Sequence, residues 1–194
     1  MMMTSQLRIL RISALATMLF LSLTTARAGS NSQVINFNAT FYGGSCEVTA
    51  PAELPFANGS PVADDSIAGD KRFRQFSVTL SGCQGYFMAP KLSVSGNTIT
   101  SGGTTLFADA ASTTKGYGIR LATDGNSRFE ANSNTAVNGL IKAKNWPAAG
   151  SNTATTINGP LEFKGYLSCG TCTPDSGLQG GELKATVTFA FLYN

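Results

Sequence analysis

From Leu183 to Tyr193 every odd-numbered residue is apolar: Leu183, Ala185, Val187, Phe189, Phe191 and Tyr193. The even positions begin polar, as Glu182, Lys184, Thr186 and Thr188, and turn apolar only at Ala190 and Leu192. A two-residue period carried by β-branched and aromatic side chains is the pattern of a strand with one face on a core. Chain ends ordinarily fray into polar residues unless something ties them down. A run closing on Phe191-Leu192-Tyr193 therefore needs a cover for its apolar row, and any fold for this chain must supply one.

The other end reads as an export signal over residues 1–28. Arg8 and Arg11 form a positive region, Leu15 to Leu23 is apolar but too short to span a bilayer, and Ala26-Arg27-Ala28 fits the small-x-small cleavage rule. Removing those 28 of 194 residues leaves 166, beginning at Gly29, which is enough for one domain with a proper core. The signal holds three of the fourteen basic residues (Arg8, Arg11, Arg27) and no acidic one, so the remainder is balanced at eleven of each sign. No basic patch points to nucleic acid. Abundant Gly, Ser, Thr and Asn with sparse charge suits an exported, turn-rich β-protein.

The chain has no histidine, which removes the usual general base, the commonest transition-metal ligand and any Ser-His triad. Its acidic residues are scattered through turns, Asp64-Asp65 included, and no glycine-rich phosphate loop follows a strand. The expectation is a protein that is not an enzyme and carries no cofactor or metal.

Export places the four cysteines in an oxidising compartment. Three pairings can be written. Cys46–Cys83 is favoured because it joins two strand-like runs, and Cys169–Cys172 because a C-x-x-C is already close in sequence. The latter lies between a strand-like run and a Gly/Pro loop with no βαβ pattern around it, so a structural bridge fits better than a thioredoxin-like redox centre.

Several further stretches alternate. Ile35, Phe37, Ala39 and Phe41 share one face of the run 33–42, with Asn36, Asn38 and Thr40 on the other. Phe76, Val78 and Leu80 lead into Ser81-Gly82-Cys83, Leu92 and Val94 mark a shorter strand, and Ser101-Gly102-Gly103 a turn before Leu106-Phe107. Tyr117, Ile119 and Leu121 alternate before Asp124-Gly125-Asn126, a hairpin-type turn. Leu140-Ile141 and Ala154–Ile157 read as brief strands, and Leu161, Phe163, Gly165 and Leu167 as a longer one. Asp64 to Asp70 reads as a solvated loop, and no segment after the signal has a sustained helical period. Short strands with turn signals between them point to an all-β sandwich. The sequons at Asn38 and Asn58 are given no role, and Trp146, beside Pro147, reads as packing.

Four of these features together resemble the chaperone–usher fimbrial subunits of the type 1 pilin family. The alternating run Ile35–Phe41 leads into Cys46; Cys83 closes the strand that begins at Phe76; Gly181 stands fourteenth from the end; and Tyr193 is a penultimate aromatic with alternate apolar residues behind it. The resemblance implies an incomplete immunoglobulin-like β-sandwich lacking its final strand. Residues 1–28 would then be the signal, 29–45 an N-terminal donor-strand extension and 46–194 the pilin domain. It further implies that Gly181, Leu183, Ala185, Val187, Phe189, Phe191 and Tyr193 border a groove. A periplasmic chaperone fills it first, and at the outer-membrane usher the extension of a neighbouring subunit replaces the chaperone. The extension would present Ile35, Phe37, Ala39 and Phe41, where Ala39 departs from the glycine usual at that step. The Cys169–Cys172 pair lies outside the common pattern.

Burying Ile35, Phe37 and Phe41 would contribute roughly 5–9 kcal/mol before ordering costs. A one-residue slip would offer Asn36, Asn38 and Thr40 instead, which fixes the register. The implied product is a linear polymer, a surface fimbrium that reaches the cell surface through the periplasm and contacts a host-cell receptor through the fibre. Two other classes compete: a small outer-membrane β-barrel, for which the interior runs are short, and a glycan-binding tip adhesin, which would need a second domain.

Overall fold

The computed structural model describes residues 36, 44–57, 61–85, 89–144, 154–173 and 177–193. The chain divides into two units, Met1–Thr40 and Phe41–Asn194, and every described residue except Asn36 belongs to the second. The expected signal at 1–28, the run 33–42 apart from Asn36, with Ile35, Phe37, Ala39 and Phe41, both sequon asparagines and Trp146 lie outside the described residues.

Among the described residues, two antiparallel sheets pack as an all-β sandwich. The first has the order β1 (Gly44–Thr49), β2 (Phe73–Gly85), β8 (Gly159–Ser168), β6 (Gly118–Ala122), β5 (Thr104–Phe107) and β4 (Thr98–Ser101). The second has the order β7 (Leu140–Lys142), β3 (Pro90–Gly96) and β9 (Val187–Tyr193).

Strand register follows the period-2 pattern. Phe76 pairs with Phe163 and Val78 with Leu161 across β2 and β8, which puts all four side chains on the inner face. Leu92 of β3 lies opposite both Ile141 of β7 and Phe191 of β9. Between the sheets, the Phe163 ring meets the edge of Phe189 at 5.2 Å and stacks with Phe76 at 5.6 Å. Such aromatic pairs add about 0.5–1.5 kcal/mol each beyond their buried area. The β4–β5 connection is the two-residue turn Gly102-Gly103, both with positive φ (49° and 74°), as a primed hairpin turn requires.

The structure corrects four local expectations. Asp64 to Asp70 is not a solvated loop but a short helix, α1 (Asp64–Ile67), running into a 3-10 turn, because Ile67 is drawn into an apolar cluster. Ala154–Ile157 is a 3-10 turn rather than a strand. The Asn158 side chain beyond it takes the Cys83 N–H at 3.0 Å, so β8 starts its ladder only at Gly159. Asp124-Gly125-Asn126 turns the chain back to an antiparallel bridge between Thr123 and Asn132 rather than into a second full strand: Asn126 Oδ1 accepts the N–H groups of Arg128 and Phe129, and β7 follows only at Leu140. Finally, the C-terminal strand is shorter than its alternation. It occupies Val187–Tyr193, while residues 181–186 run outside the ladder.

Residues 181–186 leave the ladder because main-chain and side-chain groups of the loop after β5 replace it. The Asp109 N–H donates to the Lys184 carbonyl at 2.7 Å, and Ser112 Oγ bonds both the Lys184 N–H and its carbonyl. Thr113 does the same for Glu182, through its own N–H and its Oγ1. Gly181 is tight here, since a β-carbon would stand 2.6 Å from Thr113 Oγ1. The segment is thus tied to the loop after β5 before it crosses to the other sheet as β9.

Candidate functional site

The two sheets have edges on the same side of the sandwich, β1 from the first and β9 from the second, and these edges lie against each other. Among the described residues β1 forms a ladder only with β2 and β9 only with β3. No ladder joins β1 to β9, so the seam between them closes through side chains alone.

Both edges send an apolar row into this seam. From β1 and the residue after it come Cys46, Val48 and Ala50; from β9 come Val187, Phe189, Phe191 and Tyr193. All seven pack against the main core yet are only half-buried, whereas the ladder partners of Val48, Phe189, Phe191 and Tyr193 one strand inward are buried. Leu92 opposite Phe191 has no exposed surface, and Val94 opposite Phe189 is 3% exposed. On the β1 side, Leu80 opposite Val48 is 1% exposed. Burial therefore falls off at the seam from both sheets at once.

The upper end of the seam is set by Gly44 and Tyr193. The Tyr193 ring lies at 5.8 Å from Phe191 and against Gly44, and its hydroxyl is enclosed without a hydrogen-bond partner among the described residues. Enclosure away from water raises the phenol's pKa above its ordinary value. Leu183 and Ala185 continue the odd-numbered row beyond β9: Ala185 packs on the main core and Leu183 on a second cluster with Ile67, Tyr117 and Leu167.

Of the C-terminal residues singled out from the sequence, Val187, Phe189, Phe191 and Tyr193 lie on β9 and pack on the main core. Ala185 packs on the same core from outside the ladder, Leu183 packs on the second cluster, and Gly181 sits where the chain is tied to Thr113. Ile35, Phe37, Ala39 and Phe41 lie outside the described residues. The cysteines form two disulfides, Cys46–Cys83 and Cys169–Cys172. Cys46–Cys83 fastens β1 to β2 directly beneath the seam. Sequence reasoning did not single out Gly44, Val48 and Ala50, the opposite wall. Their even-numbered alternation with Cys46 was the signal available, shifted in phase from the odd-numbered row 35–41 by Gly43-Gly44.

The described residues of the seam offer apolar contact and main-chain hydrogen bonding. No group of three or more His, Cys, Asp or Glu side chains capable of holding a metal occurs among the described residues. The outer face of the first sheet is polar and internally satisfied: Ser77 donates to Glu162, and Lys164 pairs with Asp124 at 2.7 Å. Arg120 bonds Asp70 at 2.7 Å while lying 4.1 Å from the Tyr166 ring centre. No family model matches the chain, and no curated protein matches it.

Proposed function

We propose that this chain is a structural subunit of an adhesive fimbria, an incomplete immunoglobulin-like sandwich that polymerises by accepting a strand from another chain at the β1–β9 seam. The observation that carries this reading is the pairing of two features on one edge. β9 has an unladdered side among the described residues, and the apolar rows on both walls of the seam are half-buried. A strand laid along β9 would use its spare main-chain groups for hydrogen bonds and place alternate side chains over Phe189, Phe191 and Val48.

The run Ile35, Phe37, Ala39, Phe41 has the matching period and is the donor in this reading; a neighbouring subunit supplies it in the fibre, and a periplasmic chaperone occupies the seam beforehand. The outer-membrane usher and a host-cell receptor contacted through the fibre are the remaining partners. The filled core between two sheets, with Val78, Leu161 and Phe163 fully enclosed, favours a sandwich subunit over an outer-membrane barrel.

Deleting Ser30–Tyr42 tests the assignment. The expected product still binds the chaperone and accepts a strand but cannot fill a neighbour's seam, so it ends a fibre. Recovery of the deletion variant at interior fibre positions would refute the role given to that segment.

A further inference from the structure

The Cys169–Cys172 pair lies outside the proposed assembly seam, at the end of the sandwich where β2 and β6 begin and β8 finishes. Cys169 is 1% exposed and packs with Ile67, Tyr117 and Leu167. Cys172 is half-buried against the same cluster, as are Leu178 and Leu183, which lead to β9.

Two other stretches are tied to this loop. The Thr171 N–H donates to the Gly102 carbonyl at 3.1 Å. Ser101 Oγ reaches the Cys169 carbonyl at 3.2 Å and the Gly116 carbonyl at 2.7 Å. A bridge between Lys115 and Gln179 then connects this corner to the stretch before β9. Leu106 and Phe107 anchor the end of β5 in the core, whereas β4 and the turn have little ladder support elsewhere. Among the described strands β4 pairs only with β5, and β5 meets β6 at the single register pair Phe107–Ile119.

The two disulfides therefore do different work. Cys46–Cys83 spans 37 residues and Cys169–Cys172 only three. By the chain-entropy relation the longer bridge withdraws about twice as much freedom from the unfolded chain. The short bridge constrains the unfolded chain less, and in the folded protein it holds the shape of a loop to which the hairpin turn is hydrogen-bonded.

We propose that Cys169–Cys172 is a redox-sensitive latch: intact, it holds the β4–β5 hairpin and the stretch leading to β9 at one end of the sandwich, and its reduction releases that end while the core stays folded. Access is through the loop, where Thr171 and Thr173 are exposed on either side of Cys172. A small dithiol supplies the two electrons. Its thiolate attacks one sulfur to form a mixed disulfide while the other cysteine leaves as a thiolate and is protonated. The reagent's second thiolate then attacks the mixed disulfide, closing the reagent's own disulfide and expelling the first cysteine as a thiolate that is protonated in turn. The latch requires nothing of the strand-accepting seam and stands whether or not β9 receives a strand.

Hydrogen exchange read by mass spectrometry tests it on the full chain, oxidised, titrated with dithiothreitol, and as the Cys169→Ser/Cys172→Ser double variant. Alkylation counts which cysteines have opened. The expected result is exchange roughly tenfold or more faster at residues 98–103 and 177–180 in the reduced and double-variant forms. Residues 76–80 and 161–165 should keep their protection, and Cys169 and Cys172 should be alkylated before Cys46 and Cys83. Unchanged exchange in those two segments, uniform acceleration throughout, or opening of Cys46–Cys83 first would each overturn the proposal. The dithiol arm needs no substitution, so it decides the matter even if the double variant does not fold.

Discussion

Gly44 and Tyr193 face each other so closely that a β-carbon at position 44 would stand 2.8 Å from the tyrosine ring and 2.5 Å from the Gln84 carbonyl oxygen. The start of β1 and the end of β9 are thereby brought together at the top of the seam. Gly44→Ala must push a ring and a backbone carbonyl apart. It is expected to destabilise the protein by about 1–3 kcal/mol, the usual range for overpacking. Urea unfolding followed by fluorescence measures this directly; an unchanged midpoint would mean the contact is loose.

Phe189 ties β9 to the opposite sheet through Phe163 and Phe76, at 5.2 and 6.2 Å between ring centres. Phe189→Ala removes both edge contacts and leaves a void that the half-buried seam only partly fills. A loss of about 2–4 kcal/mol is expected, short of the full range for an enclosed phenylalanine. Leu140→Ser serves as the comparison, because Leu140 is 40% exposed at the opposite edge of the same sheet. That change should fall within about 0.5 kcal/mol of zero.

Asp109 provides a pH dependence. The Thr186 hydroxyl donates to its Oδ2 at 2.6 Å, and this bond, the Thr186 backbone and Asn97 outweigh desolvation and hold its pKa below the ordinary carboxylate value. A carboxylate with a lowered folded-state pKa stabilises the fold above its unfolded-state pKa. That contribution disappears as pH falls through the folded-state value. Thermal melting between neutral and strongly acidic pH should therefore fall less steeply in Asp109→Asn than in the parent at the acid end. Parallel curves would show that the Asp109–Thr186 bond does not contribute.

Arg120 engages Asp70 and the face of Tyr166 with one planar group. Lysine can keep the charge but not the fork and the stacking together. Arg120→Lys should cost about 1 kcal/mol, read as a lower melting temperature, whereas the more exposed Lys164→Arg should cost close to nothing.

Strands whose apolar residues alternate between two ladder partners were legible in the sequence. β2 and β8 follow Phe76-Val78-Leu80 and Leu161-Phe163-Gly165-Leu167, because a one-residue slip would turn every one of those side chains outward. Segments governed by side-chain hydrogen bonds were not. Residues 181–186 keep the alternation of β9, yet Ser112 and Thr113 take their backbone groups, and nothing in a two-residue period reports a partner seventy residues away. Asn158 and Asn126 likewise end or divert strands through amide oxygens. At the seam, the odd-numbered row of β9 was visible as a hydrophobic end. The facing row, Val48 and Ala50, is short and partly small, and becomes recognisable only once the sheets bring the two edges together.

The central claim is that β9 accepts a strand. Its most direct test is hydrogen exchange at residues 187–193 in protein lacking Ser30–Tyr42, with and without a synthetic peptide of that sequence. The account predicts that saturating peptide slows exchange of the amides on the unladdered side of β9 and raises the melting temperature. A control peptide with Ile35, Phe37 and Phe41 replaced by serine should do neither. No protection at β9 under peptide excess, or equal protection by the control, would contradict it.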